Sequence, residues 1–403
     1  MNEMRDINII PPPTRSPQTA RYLLEGMAVL LLTLVIAAGV ALHLTRPPSP
    51  YAANPVAQEQ TLQARVRAIT SETTTTDENG LVIVSQALEL EVLSAGEFHA
   101  APVKVTYNGM GPSLRAVRFR VGEQALLMAS RRPDGQIFYT VADHVRLGPL
   151  ALFAAIFAAI ILVMGRGQGL RALLGLGLSG LLVGGFVLPQ ILAQRDPMLV
   201  SLVGAALLIG ATLYLIQGWN PIAHTSFLGG ALSLGFTGLL AIAWTGMAHL
   251  TGFGSEETLY LQAVGVGLEM RGLLLAGIIL GAAGVLDDVI LAQAVAAFEI
   301  HSADPTLPWP EVYRRGMKVG SAHLHSMVNT LILAYTGAAL PLLLLFYLYP
   351  EPWYLTINRE MIAEEIIRTL VGSVGLMLAV PLTTLIASWA TVTQAPAPQD
   401  VIS

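Results

Sequence analysis

The chain has 403 residues, of which 54% are hydrophobic and 12% charged, with a net charge of -5; soluble domains carry roughly 25% charged residues. So apolar a chain takes the lipid bilayer as its solvent, and without a basic run it lacks the electrostatic footprint of a nucleic-acid partner. It contains no cysteine, which excludes disulfides, thiolate metal sites, iron–sulfur clusters and cysteine nucleophiles.

A Pro-rich, Arg-bearing tail over residues 1–21 precedes the first apolar run, 22–44. At 1.5 Å per residue this run is long enough for a hydrocarbon core of about 30 Å. A signal peptide needs only about 7 to 15 apolar residues, so an uncleaved anchor is expected.

Residues 45–147 differ in texture. Runs such as LQARVRAI, GLVIVSQALELEVL, PVKVTY and RAVRFRV alternate or are β-branched, and Asn108-Gly109 and Asp134-Gly135 read as turns. Five or six strands in that length predict a small β barrel of the OB type, because closure removes exposed edges.

Apolar runs return at about 148–164, 170–192, 198–217, 227–250, 271–298, 318–349 and 366–391. They make a seven-helix membrane domain over 148–392, ahead of a tail over 393–403. With the anchor, the fold expected is a polytopic α-helical membrane protein of about eight transmembrane helices with one inserted β domain. Arg166 and Arg171 bracket one short loop, Arg314, Arg315 and Lys318 crowd another, and the 252–269 loop is acidic. By the positive-inside rule both termini are cytoplasmic and the β domain extracytoplasmic, in a cytoplasmic (inner) membrane.

The densest chemical signal is Asp287 and Asp288 inside GLLLAGIILGAAGVLDDVILAQAVAAF. A membrane-centred Asp costs roughly 2.5 to 3.5 kcal/mol on an insertion scale. Within this apolar run, about 22 Å of helix precedes the pair and about 15 Å follows it, and neither half crosses alone. One reading is a broken helix that puts both carboxylates in a protein-lined cavity, as in many secondary transporters. The other is that the helix ends at Asp287, leaving the pair at a wet interface.

The next run, KVGSAHLHSMVNTLILAYTGAALP, is amphipathic. His325, Asn329 and Thr336 fall within about 40° of one another at 100° per residue, and Ser326, Thr330 and His323 continue that face. Such a stripe should look toward the bundle interior or water, there to exchange protons through histidine or to hydrogen-bond a solute through Asn329 and Thr330. Alternatively it merely joins neighbouring helices. His323 and His325 point about 200° apart and cannot readily share a metal ion. Pro341 predicts a kink, Pro189 and Pro381 similar bends, and GLGLSGLLVGG helix contacts. Glu364 and Arg368 are spaced to pair at the start of the last span.

GLLLAGIILGAAGVLDDV, SMVNTLILAYTGAALPLLL and EIIRTLVGSVGLMLAVPLT resemble the YibE/F-like membrane proteins, and the likeness extends back through VRLGPLALF to ELEVLSAGEFHAAPVKV. In that family the segment before NTLILAY usually reads GRD, whereas Ser321 and Ala322 stand here where Arg and Asp would be. The resemblance implies an integral membrane protein with a transport role and supplies no substrate.

The function expected is a secondary transporter or exporter of a small solute or ion, needing no cofactor and no metal. Asp287, Asp288, His323, His325, Asn329 and Thr330 are its candidate binding residues. No GxxxxGK[ST] is present for nucleotide energy. An intramembrane aspartyl protease is disfavoured because its two carboxylates come from different helices, so no enzyme is expected. The competing function is a membrane-anchored binding or assembly protein that acts through the β domain. The sequence leaves the oligomeric state open.

Overall fold

A computed structural model describes residues 17–45, 60–76, 81–93, 102–112, 118–131, 136–263, 265, 267–349 and 351–393. The chain forms two units, one of residues 51–164 and one of residues 1–50 with 165–403.

The first unit is built on five antiparallel strands, β1 (Gln60–Thr76), β2 (Leu81–Val92), β3 (Val103–Pro112), β4 (Gln124–Arg131) and β5 (Ile137–His144), in the order β3-β2-β1-β4-β5. β1 is long enough to serve two partners: its first residues pair with β4 and the stretch from Ala64 with β2. Register shifts at Val66/Ala68 and Ile69/Ser71 bend it between the two, as bulges do. The edge strands β3 and β5 thereby come within 8 Å of each other, and the sheet is a nearly closed barrel. Alternation sends Leu62, Ala64 and Val66 inward with Leu88, Leu90 and Leu127. RAVRFRV is not a strand where it is described. Phe119 there plugs the barrel, stacked on His144 at 3.7 Å between centroids. Gln86, fully buried, accepts from the Phe119 backbone N–H at 2.8 Å and donates to its carbonyl at 3.1 Å. Asn108-Gly109 is no turn either, because both residues pair with β2 inside β3; Asp134-Gly135 lies outside the described residues.

The helices are α1 (Pro17–Leu44), α2 (Leu147–Leu182), α3 (Leu188–Leu192), α4 (Pro197–Gln217), α5 (Pro221–Met247), α6 (Glu256–Ala263), α7 (Met270–Ala303), α8 (Trp309–Ala338), α9 (Leu340–Leu348), α10 (Trp353–Asn358) and α11 (Glu360–Thr393). Among the described residues, six helices are long and apolar enough to cross a membrane, or up to seven if α8 and α9, bent by 64°, make one span. That bend falls where Pro341 predicts a kink. Five π-helical residues, Val183–Val187, join α2 to α3 ahead of Pro189, whose missing N–H leaves a carbonyl free. The stretch Leu147–Leu192 holds 46 residues, about twice what one crossing needs. Its helical dihedrals break at Arg166 (φ 47, ψ -123), in the loop expected there.

α7 is the centre of the second unit, packed on α4, α5, α8 and α11. Its buried Ile279, Ala283, Leu286 and Ile290 meet Ile209, Leu213, Phe227 and Val380. α4 and α7 run parallel in register. A Cβ on Gly272 would come within 3.0 Å of the Pro197 ring, and fifteen residues further along both helices Thr212 meets Asp287.

Two sequence expectations are overturned here. The run holding Asp287 and Asp288 is neither broken nor ended at the pair, since α7 continues helical to Ala303. The apolar run stops at Phe298, but polar residues carry the helix past the hydrophobic stretch, and the glycines do not break it. Gly281 instead leaves room for the Tyr335 hydroxyl, which would stand 3.0 Å from a Cβ there. Nor does GLGLSGLLVGG mark a continuous contact: Gly177, Gly180, Gly184 and Gly185 face open space, and only Gly175 lies against α4.

Candidate functional site

Asp287 stands at the midpoint of α7, half-buried and turned toward α4, while Asp288 is exposed on the neighbouring face. One turn of helix cannot point adjacent side chains the same way, so the pair divides between two environments. The Thr212 hydroxyl lies 3.2 Å from Asp287 Oδ2, but also 2.9 Å from the Leu208 carbonyl and 3.1 Å from that of Ile209. A hydroxyl has one proton to give and can also accept. The Thr212 proton is thus shared among Asp287 Oδ2 and two carbonyls of its own helix, and its bond to Asp287 is the longest of the three. Asp287 Oδ1 is buried without a hydrogen-bond partner among the described residues, and a buried ionised oxygen without a donor is costly. The carboxyl is therefore left under-satisfied, with one oxygen on a shared hydroxyl and the other without a donor among the described residues.

Below Asp287 on α7, Gln293 is buried and accepts a hydrogen bond from Thr384 of α11 at 2.9 Å. Gly320 of α8 closes over it, since a Cβ there would lie 2.7 Å from Gln293 Oε1 and 2.5 Å from Val380. Above Asp287, a cavity of about 860 Å³ opens between α7, α8, α9, α11 and the 252–258 loop. Glu256, Glu257, Tyr335, Glu364, Glu365 and Arg368 give it its polar lining. Tyr335, opposite Gly281, stands at its inner end, roughly 9 Å along α7 from Asp287 at 1.5 Å per residue.

The cavity rim is held by carboxylates. Glu360 accepts from the Thr251 backbone N–H, from the Thr251 hydroxyl at 2.8 Å and from Gly252 N–H at 2.9 Å. Gly252 has φ +86, and a Cβ on it would strike the Met270 carbonyl. Glu364, buried, accepts from Gly254 N–H at 3.1 Å, while Arg368 pairs with Glu365 at 2.9 Å. The pairing of Glu364 with Arg368 expected from spacing is thus replaced by the i,i+3 pair, because Glu364 is committed to the loop. Glu257 is held below the usual carboxylate range by its own backbone N–H and by Ser255, so it remains charged at the mouth.

The polar stripe of α8 does not join this site. His323, His325, Ser326, Asn329 and Thr330 are all exposed, whereas Leu324, Met327, Val328 and Leu331 pack inward or are buried. Of the two surroundings expected for the stripe, bundle interior or water, the interior is not the one found: the apolar side of this amphipathic helix meets α7 and α11, and the polar side is exposed. Thr330 and Thr336 donate to carbonyls of their own helix, and the His325 ring bonds the Ser321 carbonyl at 2.6 Å. Among the described residues no three His, Asp or Glu lie close enough to hold a metal ion.

Sequence reasoning found Asp287 and missed Thr212, Gln293, Tyr335 and Glu360. Thr212 is a lone hydroxyl in the run 198–217, and only the α4–α7 register shows its use. Gln293, a buried amide in an apolar run, carried the same signal as the aspartates.

No curated protein and no solved structure matches the chain. The family match covers the membrane helices from Phe153 on and leaves out the β domain, to which the sequence likeness had extended. That match, to the YibE/F-like protein family over residues 153–393, takes in more than half of the chain, which therefore belongs to this family of membrane proteins.

Proposed function

We propose that the protein is a secondary transporter of a small solute or ion in the cytoplasmic membrane, with Asp287 as the group that takes up and releases the coupling proton or cation. What carries this reading is the Asp287 carboxyl itself, mid-way along an unbroken helix, one oxygen buried without a partner among the described residues and the other on the Thr212 hydroxyl. Such a residue costs stability in a membrane and is kept for what it binds. The acidic cavity ending at Tyr335 supplies an approach from one face. The Gly277–Gly281–Gly284 side of α7 leads by its i, i+4, i+7 spacing from the inner end of the cavity to Asp288. Asp288, exposed at the same level, is the second carboxylate that a cation would meet.

The orientation in this reading follows the charges. Arg171 reaches the Ile216 carbonyl at the end of α4, the end of the bundle that also carries Arg314, Arg315 and Lys318. Taken as cytoplasmic, it leaves the acidic cavity outward, both termini inside, and the barrel, an OB type by its five-strand order, outside. Eight spans follow when Leu147–Leu192 crosses twice around Arg166 and α8 with α9 crosses once.

The test is a thermal-shift screen of the purified chain against ions and solutes at several pH values, with the Asp287→Asn, Asp288→Asn double variant alongside. A ligand that binds only the folded state raises its apparent stability. Stabilisation lost in the double variant supports the reading. A ligand that stabilises both proteins equally contradicts it and favours the second reading, binding or assembly through the β domain, to which the exposed Ile137 and Phe138 of β5 lend a surface.

A further inference from the structure

Two contacts fix the depth of the α8 stripe. Gly320 meets Gln293, and Tyr335 meets Gly281. Between these anchors the antiparallel helices bring Ser326 to Asn329 level with Asp287 and Asp288, at the middle of α7. The polar face of α8 is therefore exposed at the depth where the unit would otherwise touch hydrocarbon. His323 and Asn329 make no side-chain hydrogen bond among the described residues. Lipid tails cannot satisfy an amide or an imidazole, and polar side chains at this depth face protein or a water-filled space.

We propose that this outward face of α8 docks against the same face of a second copy of the chain. The occupant follows from the chemistry of the face. Asn329 carries two donors and an acceptor, and a neutral histidine one of each, so the stripe is complementary to itself. A two-fold axis along the membrane normal sets two such helices side by side at equal depth, the isologous arrangement of closed dimers. The apolar stretch LGPLALFAAIFAAIILVM, residues 147–164, has no polar side chain with which to satisfy such a face. Helices in lipid associate through this kind of amide and hydroxyl contact. The docking takes Asn329, Ser326 and His323 out of lipid without any change in the core packing of Leu324, Met327 and Leu331. It does not rest on the transport reading, since association is measured without flux.

Because the chain has no cysteine, single-cysteine variants report contacts directly. Ser326→Cys and Asn329→Cys are placed on the outward face, and Met327→Cys on the packed face as a control. Membranes holding each full chain are treated with an oxidant, and separately with a short bis-maleimide that spares the strict geometry of a disulfide. The proposal predicts a band at twice the chain mass for Ser326→Cys and Asn329→Cys and none for Met327→Cys. It also predicts that the wild-type chain in detergent has the mass of a dimer by light scattering, and that the Ser326→Leu, Asn329→Leu variant shifts to monomer. Monomer alone at both outward positions in folded protein overturns it. Equal dimer at all three positions, or adducts of another mass, overturns it as well.

Discussion

Thr212 Oγ1 stands 3.2 Å from Asp287 Oδ2 across two parallel helices that keep the same register back to Pro197 and Gly272. This contact ties the membrane's most costly side chain to a single shared hydroxyl. Replacing Thr212 with valine removes the polar partner and keeps the shape. We expect transport in reconstituted vesicles to fall several-fold while stability falls by only about 0.6 kcal/mol, the average for such bonds in membranes. Thr212→Ser restores the hydroxyl and should restore flux. Equal flux in all three proteins would remove Thr212 from the site.

The loop that seats Glu360 turns on Gly252, whose φ of +86 and contact with the Met270 carbonyl admit no Cβ. Gly252→Ala is expected to destabilise the folded chain by about 1–3 kcal/mol or more, the cost of a forced backbone. The loss should appear as a lower midpoint of thermal unfolding. An unchanged midpoint would mean that the loop relaxes freely.

In the barrel, the fully buried Gln86 satisfies both backbone groups of Phe119. Gln86→Leu leaves an N–H and a carbonyl without partners, and we expect a loss of about 1–3 kcal/mol. Hydrogen exchange at β2 and at the Phe119 amide checks it, with faster exchange confined to the barrel.

Asp143 at the end of β5 accepts two bonds from Arg146, at 2.6 and 2.8 Å, and one from the His144 N–H at 2.7 Å. These hold its carboxyl below the usual range, the Arg146 bonds foremost. A carboxylate whose folded pKa is depressed contributes stability above its unfolded pKa, near 3.9, and loses it as pH falls through the folded value. Asp143→Asn should therefore be less stable than wild type at pH 7, and the two should converge in the acid range below about pH 4. Curves that stay parallel down to acid pH would show that Asp143 contributes nothing through its charge.

The lengths of the apolar runs disclosed the helices, and Pro341 the bend after α8, because solvent and proline act locally. Alternation likewise marked β1, β2 and β3. What stayed hidden depends on neighbours distant in sequence. The course of α7 through Asp287 needed the polar residues beyond Phe298, which a hydrophobicity count sets aside. The α8 stripe was visible as a stripe, but which way it faces is decided by Gly316 and Gly320, whose bare backbones let α11 approach and turn the polar side out. Phe119 read as strand because RAVRFRV alternates, whereas Gln86 holds its backbone as a plug.

In the proposed function, Asp287 exchanges a proton or cation at mid-span. The most direct measurement is infrared difference spectroscopy of the purified chain in lipid, titrated in pH, for wild type, Asp287→Asn and Asp288→Asn. Exchange at Asp287 predicts a carboxyl band that appears and disappears with pH and is missing only when Asp287 is replaced. A spectrum in which Asp287→Asn removes no titrating band would contradict it.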